Sequence, residues 1–219
     1  MTADLSKHFD NVFKQLERSG LLLVSDQHFP SVAYLIARTR RKGSWWSHPE
    51  AQTIFAVTEL LDDHPDVLIM KLISGKVTFV HRELWGRIYS IGVAREDWQM
   101  KPLSPAAKSL LKKIDSEGRV QTGSLGKAFD PKPGDAAREL EFHLLIHSRQ
   151  AHTQSGAHHK TLQTWDEWAT SAGFKARAKN PAAARRFLEE RVDWILKEYG
   201  GPIIKDYGGH VRLPWPSRV

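Results

Sequence analysis

The chain has 219 residues, 41% of them apolar and 26% charged, the balance of a soluble globular protein long enough to bury a sizeable core. Cysteine is absent, which excludes disulfides, thiolate metal sites and a cysteine nucleophile; no run of about 18 apolar residues is present, so no membrane span is expected. The formal charge of +7 and pI near 9.6 favour anionic partners, nucleic acid the commonest among them.

In chain order, Phe9, Val12, Phe13 and Leu16 recur at helical spacing, and Gly20 closes that helix. The following LLLV reads as a short buried strand or a helix-packing segment. Pro30 opens a second periodic piece with Val32, Leu35 and Ile36, ending in the basic run Arg38, Arg40, Arg41, Lys42. Ser47 and Glu50 have the spacing of a capping box, with Pro49 in the first turn and Ile54, Val57 and Leu61 on one face of the helix beyond. An apolar run from Val67 to Ile73 ends at Gly75, and KVTFVHRELWGRIYSIG starts β-branched and turns helical up to Gly92.

Ser104 and Pro105 then start a helix carrying Ala107, Leu110, Leu111 and Ile114, closed near Gly118. RVQTGSLG is long enough for a short turn or helix, and Asp135 is the expected cap of a helix through Leu140. Next, LLIHSRQAHT and KTLQTW read as two strands around a glycine-bearing tip at Gly156. Thr164 and Glu167 cap a helix with Trp165, Trp168 and Ala169. Asn180-Pro181 begins a last helix through Leu188, Val192 and Ile195, and RLPWPSRV is an extended tail. No internal repeat of fixed period is visible.

Helix, short helix, helix and hairpin is the element order of a winged helix-turn-helix. The expected fold is therefore mainly α with a small β component, built on winged helix-turn-helix modules with a β-hairpin wing. The second and third helices of the module would be Val120–Leu125 and about 135–143. The expected organisation is an N-terminal helical region over 1–100, the winged module over 101–175, and a helix with extended tail over 176–219, either separate or merged into one compact domain.

The stretch HSRQAHTQSGAHHK, residues 147–160, then becomes the wing, where small, polar and cationic side chains suit phosphates. Arg149, His152, Gln154, His158, His159 and Lys160 are the candidate contacts, with Arg138 on the third helix. Arg40, Arg41 and Lys42 are further candidates, while Trp45 and Trp46 after them are expected in the core, where tryptophan is mostly found. A metal site is not expected: His143 and His147 are separated by LLI rather than a metalloprotease pattern, and read as hydrogen-bonded, half-buried strand residues.

No phosphate-cradling loop, dinucleotide fingerprint or hydrolase elbow occurs, and no cofactor is expected. Glu83, Glu139, Glu141, Asp166 and Glu167 are the carboxylates available for acid–base work. Glu139 and Glu141 on the third helix would repel DNA unless paired with Arg138 or the basic wing.

The segments GSWWSHPEAQTIFAVTELLDDHPDVLIMKLISGKVTFVHRELWGRIYSIG and ELEFHLLIHSRQAHTQSGAHHKTLQTWDEWA carry a resemblance. The chain resembles, over most of residues 5–195, a group of small uncharacterised bacterial winged-helix proteins. That group is distantly similar to the winged-helix DNA glycosylases of the AlkZ/YcaQ type. The resemblance implies a largely helical protein that binds or acts on duplex DNA. Those glycosylases are similar in placing a Gln-x-Gln or Gln-x-Asp pair on a strand, and QLE, QAH, QSG and QTW in this chain do not complete it. No catalytic residue is carried over. The leading expectation is a cytoplasmic duplex-DNA-binding protein linked to repair or regulation. The alternatives are a DNA glycosylase acting on alkylated bases and a protein-interaction domain without nucleic-acid binding.

Overall fold

The structure is a computed structural model that describes residues 2–39, 44–125, 133–152, 158–200 and 211–216, without the side chains of 151, 152, 158, 159 and 200. Over these residues it is mainly helical, with two small antiparallel sheets. The chain divides into two compact units, residues 1–85 with 186–213, and residues 86–185 with 214–219.

In the first unit, α1 (Ala3–Ser19) is capped by Thr2, whose side chain accepts from the Leu5 amide. Its periodic face buries Val12 and Leu16. Gly20 ends it in the left-handed conformation at φ 76°, which a side chain would resist, and the chain passes directly into β1 (Leu21–Leu23). LLL pairs with residues 78–80 and is therefore a strand, with all three leucines buried. Next come α2 (Val32–Ala37), capped by Ser31, then α3 (Ala51–Asp62), β2 (Val67–Ile73) and β3 (Lys76–His81). The strands β2 and β3 form a hairpin around Ser74-Gly75, and β3 lies between β1 and β2. Leu22 pairs with Phe79 at the sheet centre. Both are fully buried with Val12, Leu16, Val32, Ile54, Val57 and Leu61. Burial of each such side chain stabilises by about 1.5–3 kcal/mol. In the tail, Arg212 exchanges two hydrogen bonds with Ser74, at 2.6 and 3.0 Å.

The second unit takes in nearly all of α4 (Trp85–Gly92), then α5 (Asp97–Met100), α6 (Pro105–Glu117) and β4 (Arg119–Gln121). A 3₁₀ turn over Thr122–Ser124 follows, then α7 (Pro133–Phe142), β5 (His147–His152), β6 (His158–Gln163) and α8 (Trp165–Ser171). The helix α9 (Pro181–Gly200) begins on Asn180, whose side chain accepts from the Ala182 and Ala183 amides. The strand β6 lies between β4 and β5. Val120 pairs with Leu162, and both join Leu110, Ile114, Leu140 and Ile146 in the core. Gln99 is fully buried yet satisfied: its amide donates to the Ile91 and His143 carbonyls, and its oxygen accepts from the Glu96 amide.

The units repeat one plan. Each runs long helix, glycine, three-residue strand, a turn or short helix, second helix, hairpin, and in each sheet the last strand is central. Gly118 at φ 72° matches Gly20. His81 donates to the Gly20 carbonyl and Thr164 to the Gly118 carbonyl, both at 2.9 Å. A repeat of this kind has no fixed period, because the loops differ in length.

Several local expectations are corrected. Val120–Leu125 is not a helix: β4 and a 3₁₀ turn occupy it, because residues 119–121 pair with 161–163. The Ser47–Glu50 capping box is not formed. Ser47 donates to the Ser44 carbonyl, His48 Nδ1 takes the Glu50 amide, and α3 starts one residue after Glu50 without a side-chain cap. Asp135 lies inside the first turn of α7 rather than at its cap. Thr164 does cap α8, accepting from the Glu167 amide at 3.1 Å, while the Glu167 carboxylate turns to Arg119 instead of completing the box.

Candidate nucleic-acid interface

In the second unit, α7 turns Ala136, Ala137 and Leu140 inward, which leaves Asp135, Arg138 and Phe142 outward at spacings of three and four. Arg138 Nη1 donates to Asp135 Oδ1 at 3.2 Å. Both side chains are about two-thirds exposed, so the pair is solvent-screened and easily exchanged for another anion. Arg149 is exposed on β5 opposite Thr161.

Lys160 is placed differently. Its Nζ donates to Glu141 Oε1 at 2.5 Å, and that carboxylate, on α7, is only 8% exposed. The pair ties the hairpin to α7, and the Lys160 amide adds a bond to Thr122 Oγ1 at 2.9 Å. His152 and His158 are the final register pair of the hairpin and His159 faces Ala151, with their side chains outside the described residues. Gln154, Arg40, Arg41 and Lys42 lie outside the described residues altogether.

The two histidines weighed as ligands have other surroundings. His147 is buried on β5, where the Gln163 amide donates to its Nδ1 at 3.1 Å and the Trp165 and Trp168 rings lie about 6 Å away. His143 is not in a strand but in the turn after α7. Burial there lowers its pKa below 6.5, opposed by the charge of Glu139 and a hydrogen bond with the Trp98 backbone. Among the described residues no three of His, Asp and Glu come together as a metal-holding group.

Each carboxylate considered for acid–base work is engaged. Glu139 accepts from the Ser104 amide at 2.6 Å and its hydroxyl at 2.7 Å, which anchors the start of α6. Glu141 holds Lys160, Glu167 pairs with Arg119 at 2.8 Å, and Glu83 pairs with Arg191 at 3.3 Å. Asp166 accepts from the Tyr89 hydroxyl, and this bond, with burial, pushes the Tyr89 pKa up to about 12. Of these two acidic groups of α7, Glu141 is thus paired with a cation, while Glu139 accepts hydrogen bonds from neutral groups and keeps its charge.

In the first unit the expectation of core tryptophans is corrected. Trp46 is 60% exposed and Phe55, on the outer face of α3, is 43% exposed. The Trp45 and Trp46 rings stack at 4.0 Å and 25°, and the Phe55 ring lies 5.5 Å from Trp46. Trp45 is half-buried against the core, so it forms the base of the stack. The surrounding GSWWSHPE was the available signal: glycine, serine and proline flank the pair, and no apolar periodicity passes through it.

Comparison with protein-family models, with curated proteins and with solved structures finds no match to this chain.

Proposed function

We propose that the protein is a tandem winged-helix protein that binds duplex DNA, mainly through backbone phosphates, in base-lesion handling or regulation. The observation that carries this is the repeated plan, in which a helix, a short strand, a further helix and a hairpin share one three-stranded sheet with the last strand central. In that plan α7, with the β5–β6 hairpin as its wing, is the element that meets the duplex. The net charge of +7 supports a polyanionic partner. So do the outward Arg138 and Arg149, together with the pairing of Glu141 by Lys160. Base excision gains no comparable support, since the candidate carboxylates are held by cations or hydroxyl groups.

A salt titration of duplex binding by fluorescence anisotropy tests the proposal. The logarithm of affinity falls linearly with the logarithm of salt concentration, by about 0.9 for each phosphate contact. Arg138→Ala and Arg149→Ala each flatten the slope by roughly 0.9 and weaken binding on unrelated duplexes alike. Absence of duplex binding at about 50 mM salt, or a flat salt dependence, overturns it.

A further inference from the structure

We infer that Trp46 and Phe55 form a stacking site for unpaired nucleobases, so that the first unit binds single-stranded DNA at a place separate from the cations of α7 and β5. This rests on the nucleic-acid reading above and names a second ligand form within it.

The site is a flat aromatic shelf. Trp46 has one face on Trp45 at 4.0 Å, and Phe55 lies beside it at 5.5 Å, tilted 39°. These two are the most exposed large hydrophobic residues of the first unit among the described residues. The shelf is held in place from beneath. Ser44 accepts from the Trp46 amide at 3.3 Å, His48 donates its amide to the Trp45 carbonyl at 3.0 Å, and Ser47 Oγ donates to the Ser44 carbonyl at 2.8 Å. A shelf fixed before binding loses little entropy when a base settles on it.

The chemistry around it selects the occupant. His48 Nε2 meets Thr39 Oγ1 at 3.1 Å, which brings the end of α2, with exposed Arg38, beside the start of the shelf. The backbone around it carries the hydroxyl groups of Ser44, Ser47 and Thr39, and the exposed Arg38 adjoins Thr39 in the chain. An amphipathic peptide helix requires an aliphatic groove, whereas two flat rings beside a cation and hydroxyl groups match a base and its phosphate. Paired bases hide their faces in the duplex stack, so the ligand must be unpaired.

The test uses the full-length protein with three fluorescein-labelled probes: oligothymidine of about twelve nucleotides, an abasic strand of the same phosphate count, and a duplex. Wild type binds oligothymidine more tightly than the abasic strand, with quenching of tryptophan fluorescence. Trp46→Ala weakens oligothymidine binding about tenfold, Phe55→Leu weakens it less, and Trp46→Phe restores most of it. All three leave duplex and abasic affinities within about twofold and the melting temperature unchanged. Equal wild-type affinity for oligothymidine and the abasic strand, or a Trp46→Ala loss shared equally by the duplex, overturns the inference and leaves a protein partner as the occupant of the shelf. If duplex binding fails while Trp46-dependent oligothymidine binding stands, the proposed duplex function falls and this site remains.

Discussion

Gly92→Ala probes the second unit where a described glycine leaves least room for a side chain. A Cβ on Gly92 would lie 2.2 Å from Trp165 Nε1, 2.4 Å from Cδ1 and 2.5 Å from Cε2, distances that real Cβ atoms do not show. The indole is 2% exposed, and its Nε1 donates to the Leu144 carbonyl at 2.7 Å. To accept a methyl group the ring must shift by roughly 1 Å, which over-packs a core filled to near-crystalline density at about 1–3 kcal/mol. The same shift breaks the Nε1–carbonyl bond, and a buried polar group left unpaired costs about 1–3 kcal/mol more. Replacing glycine in a helix returns at most about 1 kcal/mol, and less at the last position of α4. The expected net loss is about 3 kcal/mol. It is read as a lower urea midpoint at unchanged slope, followed by near-ultraviolet circular dichroism. Trp165→Phe removes the clashing pyrrole edge, so the double variant Gly92→Ala with Trp165→Phe costs less than the two single losses together, by at least about 1 kcal/mol. Wild-type or higher stability for Gly92→Ala, or additivity in the double variant, refutes the packing argument.

Two further outcomes are expected. Because burial lowers the His143 pKa, the unfolded chain takes up a proton first as pH falls through 6.5, and stability present above that value is lost towards the lower folded pKa. His143→Gln flattens this acid limb, and urea midpoints whose decline between about pH 7 and about pH 5 is unaltered by the change contradict the assignment. Glu141→Gln releases the Lys160 ammonium now held at 2.5 Å, so duplex binding strengthens and its salt slope steepens by roughly 0.9; an unchanged slope means Lys160 does not reach phosphate.

The helices and their buried faces were legible in the amino-acid order because a helix satisfies its own backbone within four residues. Val12 and Leu16, Ile54 with Val57 and Leu61, and Leu110 with Ile114 could be placed from spacing, as could the stops at Gly20 and Gly118 and the caps at Ser104 and Asn180. The hairpin of residues 147–163 was visible from its polar tip between two apolar-anchored runs. The short strands were legible only in part: LLLV allowed a strand without fixing one, and RVQ lay in a stretch read as a turn or helix. LLL and RVQ take their backbone partners from 78–80 and 161–163, and nothing within three residues reveals a partner that far along the chain. Without those pairings, the repetition of one plan in two units stays hidden behind unequal loops. Charge and exposure at the candidate interface were likewise settled only in three dimensions. Lys160 and Arg149 look alike in a basic stretch, yet Lys160 is tied to a nearly buried carboxylate while Arg149 is exposed on β5. Trp45 and Trp46 are chemically identical neighbours, and the turn that rests one on the core presents the other to solvent. Composition determines which groups a chain carries; only the fold decides which of them neutralise one another and which face outward.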